Sequence, residues 1–264
     1  MATVEVERRA AVVIVTLNRP EVHNCIDPGT AGLLAAAIES FAADDDARVL
    51  VVTGAGGAAF SSGADLRALD GLLRRPGVER TGPLGFARLD SGKPTIAAVE
   101  GHCYAGGLEL ACWCDIRIAG AGARFGVLNR RWGVPLVDGG TVRLPRIVGQ
   151  GNALYLIETG ARIGAERAAA MGLVQEVVER GRALERALEL ADLIAASPWP
   201  GVVADRAGAL AAWDLPSVEA LEAEGKRGSA AAGEEMAAGL RRFSDGERPE
   251  PPEKEAAREP RDPQ

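Results

Sequence analysis

The run Gly101-His-Cys-Tyr-Ala-Gly106-Gly107-Leu108-Glu109-Leu110 puts glycines and one carboxylate at the start of a helix. Glycines let the backbone approach a ligand closely. First-turn N–H groups have no partner inside a helix, and the positive end of its dipole lies there. Such a place suits a developing oxyanion. Glu109 follows Gly106 on the same helical face, about 4.5 Å further along the axis. A carboxylate beside an oxyanion site is what proton transfer next to a polarised carbonyl requires. The plain alternative is a solvated or salt-bridged first-turn acid. Apolar neighbours on both sides, Leu108, Leu110, Ala111 and Trp113, favour burial and a raised pKa instead.

Three further stretches carry chemical potential. In Ser61-Ser62-Gly63-Ala64-Asp65-Leu66, Gly63 permits a backbone turn that could aim peptide N–H groups into a cleft. Asp65 capping a short helix explains the same residues equally well. In Asn129-Arg-Arg-Trp132 through Asp138-Gly139-Gly140-Thr141, Asp138 reads best as an N-cap and Trp132 as a core residue. Gly54-Ala-Gly56-Gly-Ala-Ala59 follows a strand and fits the dinucleotide pattern, which would make a nucleotide-dependent oxidoreductase. That pattern needs a helix opening at the turn and an acid about 20 residues on, and neither is evident. His23 and His102 read as hydrogen-bonded loop residues. With Cys25, Cys103, Cys112 and Cys114 they show no zinc-ligand spacing, so no metal is expected.

The elements that must position these residues follow from patterning. Ala11–Leu17, Arg48–Thr53, Pro94–Glu100 and Ile116–Ala119 are apolar runs of strand length. Helices are expected over Gly29–Ala43, Asp65–Leu73 and Leu108–Trp113, a tight turn over Gly101–Gly107, and a long loop over Pro76–Gly92. Continuous apolar strands alternating with helices predict a parallel sheet covered on both faces, an α/β fold. Beyond Val178 the chain turns Ala-, Leu- and Glu-rich. The organisation expected is a core over 1–195, a helical subdomain over 196–244, and a disordered acidic, Pro-rich tail over 245–264. A length of 264 residues allows a substantial core, while the net charge of −7 argues against nucleic acid as a partner. No apolar stretch is long enough to span a bilayer, and no disulfide framework is visible, so the cytoplasm is the expected compartment.

Asn18-Arg-Pro20 with Asn24, Phe60-Ser-Ser-Gly-Ala-Asp-Leu66, Gly106-Gly107-Leu-Glu109-Leu-Ala111, Phe125-Gly126, Gly139-Gly140-Thr141-Val-Arg143-Leu144 and Ala168-Ala-Ala-Met-Gly-Leu-Val174 occur in this order. The chain resembles the enoyl-CoA hydratase/isomerase (crotonase) superfamily from about Val4 to Phe243. The resemblance implies a ββα spiral of two roughly perpendicular sheets with a helical C-terminal trimerisation region, as a homotrimer or dimer of trimers. It implies an acyl-CoA substrate, no cofactor beyond the CoA moiety, thioester-oxygen binding by the Ala64 and Gly106 amides, CoA contacts from Ala64, Asp65, Leu66 and Arg67, and Glu109 as acid/base. The acyl tail would lie against the loop from Leu72 to Leu89. The sequence departs at the family's second glutamate, four residues after Phe-Gly, where Asn129 stands. Asn does not exchange protons near neutrality but can orient a water. Asp138 is a possible substitute carboxylate. A non-catalytic or specialised acyl-CoA binder is the alternative reading.

Overall fold

Side chains alternate across a strand, so a strand buried on both faces is apolar at most positions, and any polar residue in it must find a partner. A computed structural model, which describes residues 2–247, shows this for the central strands. The elements run β1 (Val4–Arg9), β2 (Val12–Leu17), α1 (Pro28–Ala43), β3 (Val49–Gly54), β4 (Ala59–Ser61), α2 (Leu69–Arg74), α3 (Val78–Thr81), β5 (Thr95–Val99), β6 (His102–Tyr104) and α4 (Gly106–Trp113). They continue with β7 (Ile116–Gly120), β8 (Arg124–Gly126), α5 (Gly140–Val148), α6 (Gln150–Thr159), β9 (Ile163–Gly164), α7 (Ala165–Ala170), β10 (Glu176–Val178) and α8 (Ala183–Ala196). Val13, Val15 and Leu17 of β2 join one core cluster, while Val12 and Ile14 join a second under α8. There Ala183, Ala187 and Ala191, spaced one turn apart, have side chains small enough to let the helix lie close.

Two sheets result. The larger has the order β1-β2-β3-β5-β7-β10 and is parallel except where β1 meets β2; the smaller has the order β4-β6-β8-β9. Successive pairs β3–β4, β5–β6 and β7–β8 each put one strand in either sheet, and this is the spiral repeat. Each step from the large sheet to the small one ends in a loop or helix start at one edge, and there the site assembles.

Several local expectations change. The stretch Gly101–Gly107 is a turn only in part, because His102–Tyr104 pairs with β4 and β8 as a strand. The expected loop over 76–92 contains α3 and turns Leu84 and Phe86 fully inward. The Gly54–Ala59 glycines run directly into β4 and open no helix, so the dinucleotide reading lacks its pyrophosphate-binding element.

Chain contacts divide the molecule into two units, the first ending at Ala195 and the second beginning at Ala196. The second contains α9 (Trp199–Ala211), α10 (Ser217–Ala231) and α11 (Glu234–Ser244). From 248 on, the tail expected over 245–264 lies outside the described residues.

Candidate active site

The site begins with a staple. Asn24 is buried; its Oδ1 accepts from Arg19 N–H at 2.9 Å, and its Nδ2 donates to Ala55 O and Ala59 O at 3.0 and 2.7 Å. This fixes the turn into β4. Ser61 Oγ then donates to Asn24 O at 2.8 Å and accepts Gly63 N–H at 3.1 Å. Gly63 sits at φ +88°, and a Cβ there would lie 2.5 Å from Gly106 N, so only glycine fits. Ile26 N–H donates to Gly63 O and Asp65 N–H to Ile26 O, which brackets Ala64 and leaves its own N–H outside the pairing.

Helix α4 supplies the facing amide. Ala105, just before it, takes φ +49° and ψ −120°, a strained pair of angles for a residue with a Cβ. Such strain gathers at sites where the backbone must point in one direction. Gly106 N–H is the first of the helix and has no intrahelical acceptor. A Cβ on Gly106 would lie 3.5 Å from Ala64 N, so the two amides are neighbours. Among the described residues, no protein oxygen accepts from either.

One turn further on, Glu109 is 4% exposed. Its Oε1 accepts Asp138 N–H at 2.9 Å and Gly140 N–H at 2.8 Å, and among the described residues its Oε2 has no protein donor. A side chain on Gly140 would strike Glu109 Cγ, so that glycine is required for the approach. Burial pushes the Glu109 carboxyl up to about 7; the Asp138 charge adds to this, while the two amides and Arg143 oppose it.

Asp138 is 1% exposed and does not cap α5; Gly139 occupies that position, with φ +96°. The capping expectation fails because the Asp138 carboxylate turns inward, where Oδ1 accepts Leu84 N–H at 3.0 Å. Burial raises it to about 6, against the pull of Leu84 N–H and of Arg88, Arg75 and Arg143. Asn129 is also buried. Its Nδ2 donates to Val134 O at 2.7 Å, and its buried Oδ1 has no donor among the described residues.

A cleft of about 410 Å³ is lined by Ala64, Asp65, Leu66 and Arg67 together with Ala105, Asn129 and Trp132, so it reaches the Ala64 bend and the residue before Gly106. Trp132 is 72% exposed, so it is a rim residue and not core; composition alone cannot show that a short 3₁₀ turn carries it outward. Asp65 does cap the turn after it, accepting Arg67 N–H at 3.2 Å, and it also pairs with Arg19 at 3.3 Å. His23 and His102, far apart in sequence, lie with ring centroids 5.5 Å apart, and His102 stacks on Tyr104 at 5.0 Å. His102 is a strand residue and not a loop one. The sequence reading missed Leu84, Arg75 and Arg143 as site residues. Arg143 stood within a quoted motif; nothing in the pattern around Leu84 singled it out.

A two-sheet spiral that brings two unclaimed amides beside a buried carboxyl defines a class of proteins that act on carbonyl compounds by holding an oxyanion. A family model for enoyl-CoA hydratase/isomerase matches residues 7–250. The chain belongs to that family, whose members process acyl-CoA thioesters. It is 40% identical over 211 residues to enoyl-CoA hydratase EchA19 of Mycobacterium tuberculosis, covering 75% of this chain and 78% of the relative. It is 38% identical over 192 residues to the short-chain-enoyl-CoA hydratase of Clostridium acetobutylicum, covering 71% and 73%. Among solved structures, enoyl-CoA hydratase EchA1 of Mycobacterium marinum superposes with a TM-score of 0.88 at 33% identity, over 95% of this chain and 98% of that one.

Proposed function

We propose that this enzyme hydrates or isomerises an enoyl-CoA through a thioester enolate. The observation that carries the reading is the pair of unclaimed amides, Ala64 and Gly106, one helical turn before the free Oε2 of Glu109. The thioester oxygen accepts both N–H groups, and the negative charge that grows on it as the enolate forms meets donors already in place. The N-terminal end of α4 adds its dipole. Glu109, with its pKa near 7, takes or returns the proton at neutral pH. Its other oxygen is committed to two main-chain amides, so only Oε2 works. The CoA moiety lies along Ala64, Asp65, Leu66 and Arg67, and the acyl tail against the segment from Leu72 to Leu89, where Leu84 and Phe86 face inward.

Asn129 sets this chain apart. A hydratase that holds water between two carboxylates needs a proton-exchanging group opposite Glu109, and an amide is not one. Asn129 Oδ1 is buried without a protein donor among the described residues, and its amide cannot exchange a proton, which leaves all proton transfer to Glu109. The test is turnover of an enoyl-CoA panel by the parent and by Glu109→Gln. Loss of about 10²–10⁴ in kcat is expected. Equal turnover removes Glu109 from the mechanism. Asn129 also favours a second reading, a binder that has lost its chemistry; calorimetry would then show CoA-ester binding with no conversion of any panel member. Assembly as a homotrimer or dimer of trimers, residence in the cytoplasm and independence from any added cofactor complete the proposal. Four buried free cysteines and the absence, among the described residues, of any helix long and apolar enough to cross a membrane fit that residence.

A further inference from the structure

Asp138 stands behind both halves of the site. Its main-chain N–H and that of Gly140 hold the same oxygen of Glu109, at 2.9 and 2.8 Å. Its carboxylate faces the other way and holds Leu84 N–H at 3.0 Å. The Leu84 side chain, fully buried, fills the space that a Cβ on Gly106 would take, so it presses on the residue that carries one of the two amides. Two guanidinium groups lock the segment around Leu84. Arg75 donates to Pro83 O at 3.0 Å and Gly82 O at 2.6 Å; Arg143 donates to Ala87 O at 2.7 Å and Asp138 O at 3.3 Å. A side chain on Gly82 would come within 2.8 Å of Asp138 Oδ1, so that segment closes over the carboxylate.

We infer that Asp138 is a positioning residue, fixing through its N–H which oxygen of Glu109 is free and through its carboxylate how Leu84 seats Gly106 against Ala64. The inference rests on the reading of Glu109 as the acid/base group and of the two amides as oxyanion donors. Asp138 is 1% exposed against 4% for Glu109, and its Oδ1 is committed to Leu84 N–H with Gly82 packed against it, so it is the more deeply enclosed of the two carboxyls. Its charge has a second effect, because like charge disfavours ionisation of a neighbouring carboxyl. The charged or titratable groups facing Asp138 are Arg75, Arg88, Arg143 and Glu109; those facing Glu109 are Asp138, Arg143 and the Cys112 thiol. Neutralising Asp138 removes the one carboxylate among them that pushes Glu109 upward. The midpoint for ionising Glu109 then falls.

Two variants of the full-length protein separate the roles. Asp138→Asn keeps an acceptor for Leu84 N–H and loses the charge; Asp138→Ala loses both. The readouts are the pH profile of kcat/KM on a short-chain enoyl-CoA and the ¹³C titration of the Glu109 carboxyl without substrate. Asp138→Asn is expected to move the acid limb and the Glu109 midpoint to lower pH, with less than about 10²-fold loss in plateau kcat. Asp138→Ala is expected to lose more kcat than Asp138→Asn, with KM little changed. An unmoved midpoint, a plateau loss of about 10² or more in Asp138→Asn, or an alanine variant no worse than the asparagine one overturns the inference. If the alanine variant fails to fold, the asparagine variant decides alone. Undiminished turnover by Glu109→Gln would sink the underlying mechanism instead, and the ¹³C midpoint would still report on Asp138.

Discussion

Burying Glu109 beside Asp138 lifts its pKa from 4.5 to about 7, and the shift that lets it exchange protons near neutrality also works against folding. A carboxyl whose pKa is higher folded than unfolded holds more protons in the native state between those two values. Stability therefore falls as pH rises through that window and stays lower above it, by about 3 kcal/mol at most. Glu109→Gln keeps an oxygen for the Asp138 and Gly140 amides and removes the charge. It should be more stable than the parent by about 1–3 kcal/mol at pH 8, with the gain gone at pH 4. Urea unfolding at the two pH values measures this, and a less stable variant at pH 8 refutes it. Gly63 makes the complementary case. Gly63→Ala puts a Cβ 2.5 Å from Gly106 N at a backbone angle of +88°, so the amide must move. A displaced oxyanion donor should cost about 10²–10³ in kcat, with KM for the CoA ester little altered. Unchanged kcat in a folded variant would mean that the Gly106 amide does not meet the thioester oxygen.

At the scale of elements, the four central strands of the large sheet were legible, while its outer strands β1 and β10 and the small sheet were not. β2, β3, β5 and β7 are buried on both faces, so their apolar runs stand out, and the structure places them within a residue or two of the expected bounds. β4, β6, β8 and β9 have two or three residues each, too few for any period to show. β1 escaped for another reason: VEVERR exposes all but its first residue at a sheet edge, where charge is tolerated. The spiral therefore came from the resemblance and not from patterning. The site divides the same way. Glu109 was legible because a lone acid among apolar neighbours signals burial, whereas the contact between Asp138 and Leu84 joins distant segments and leaves no local trace. Arg117 shows the same blindness. It is buried and donates to Leu173 O at 2.6 Å, Cys114 O at 2.6 Å and Asp115 O at 3.2 Å, tying the end of α4 and the start of β7 to the chain before β10. Arg117→Met leaves those carbonyls without their donor. A loss of about 2–4 kcal/mol is expected by urea unfolding, because buried acceptors stripped of partners cost about 1–3 kcal/mol each before relaxation. A variant as stable as the parent would show that the network holds nothing.

At the scale of the whole molecule, the three helices after Ala196 pose a problem that a single chain does not solve. Among the described residues, α9, α10 and α11 contain no buried side chain. Val218, Leu221, Leu240 and Phe243 are each more than half exposed. Fixing a backbone costs about 1–2 kcal/mol per residue, and helices are stabilised chiefly by the apolar face they bury. Helices whose side chains are at best half-buried gain little of that compensation. Further copies of the same chain would supply it, as the trimer implied by the family resemblance requires. A groove of about 390 Å³ edged by Pro198, Ala204, Met236 and Leu240 offers apolar surface for such a contact. Sedimentation equilibrium of the intact protein should therefore give a trimer or a dimer of trimers. Charge placed on the same surface should break it: Leu221→Glu combined with Leu240→Glu is expected to yield smaller species with a lower Tm. Helix content should fall with dissociation, since the helices lose the contact that orders them. A parent protein that sediments as a monomer, with these helices fully formed by circular dichroism, would contradict the argument, because the exposed leucines would then be compatible with order on their own.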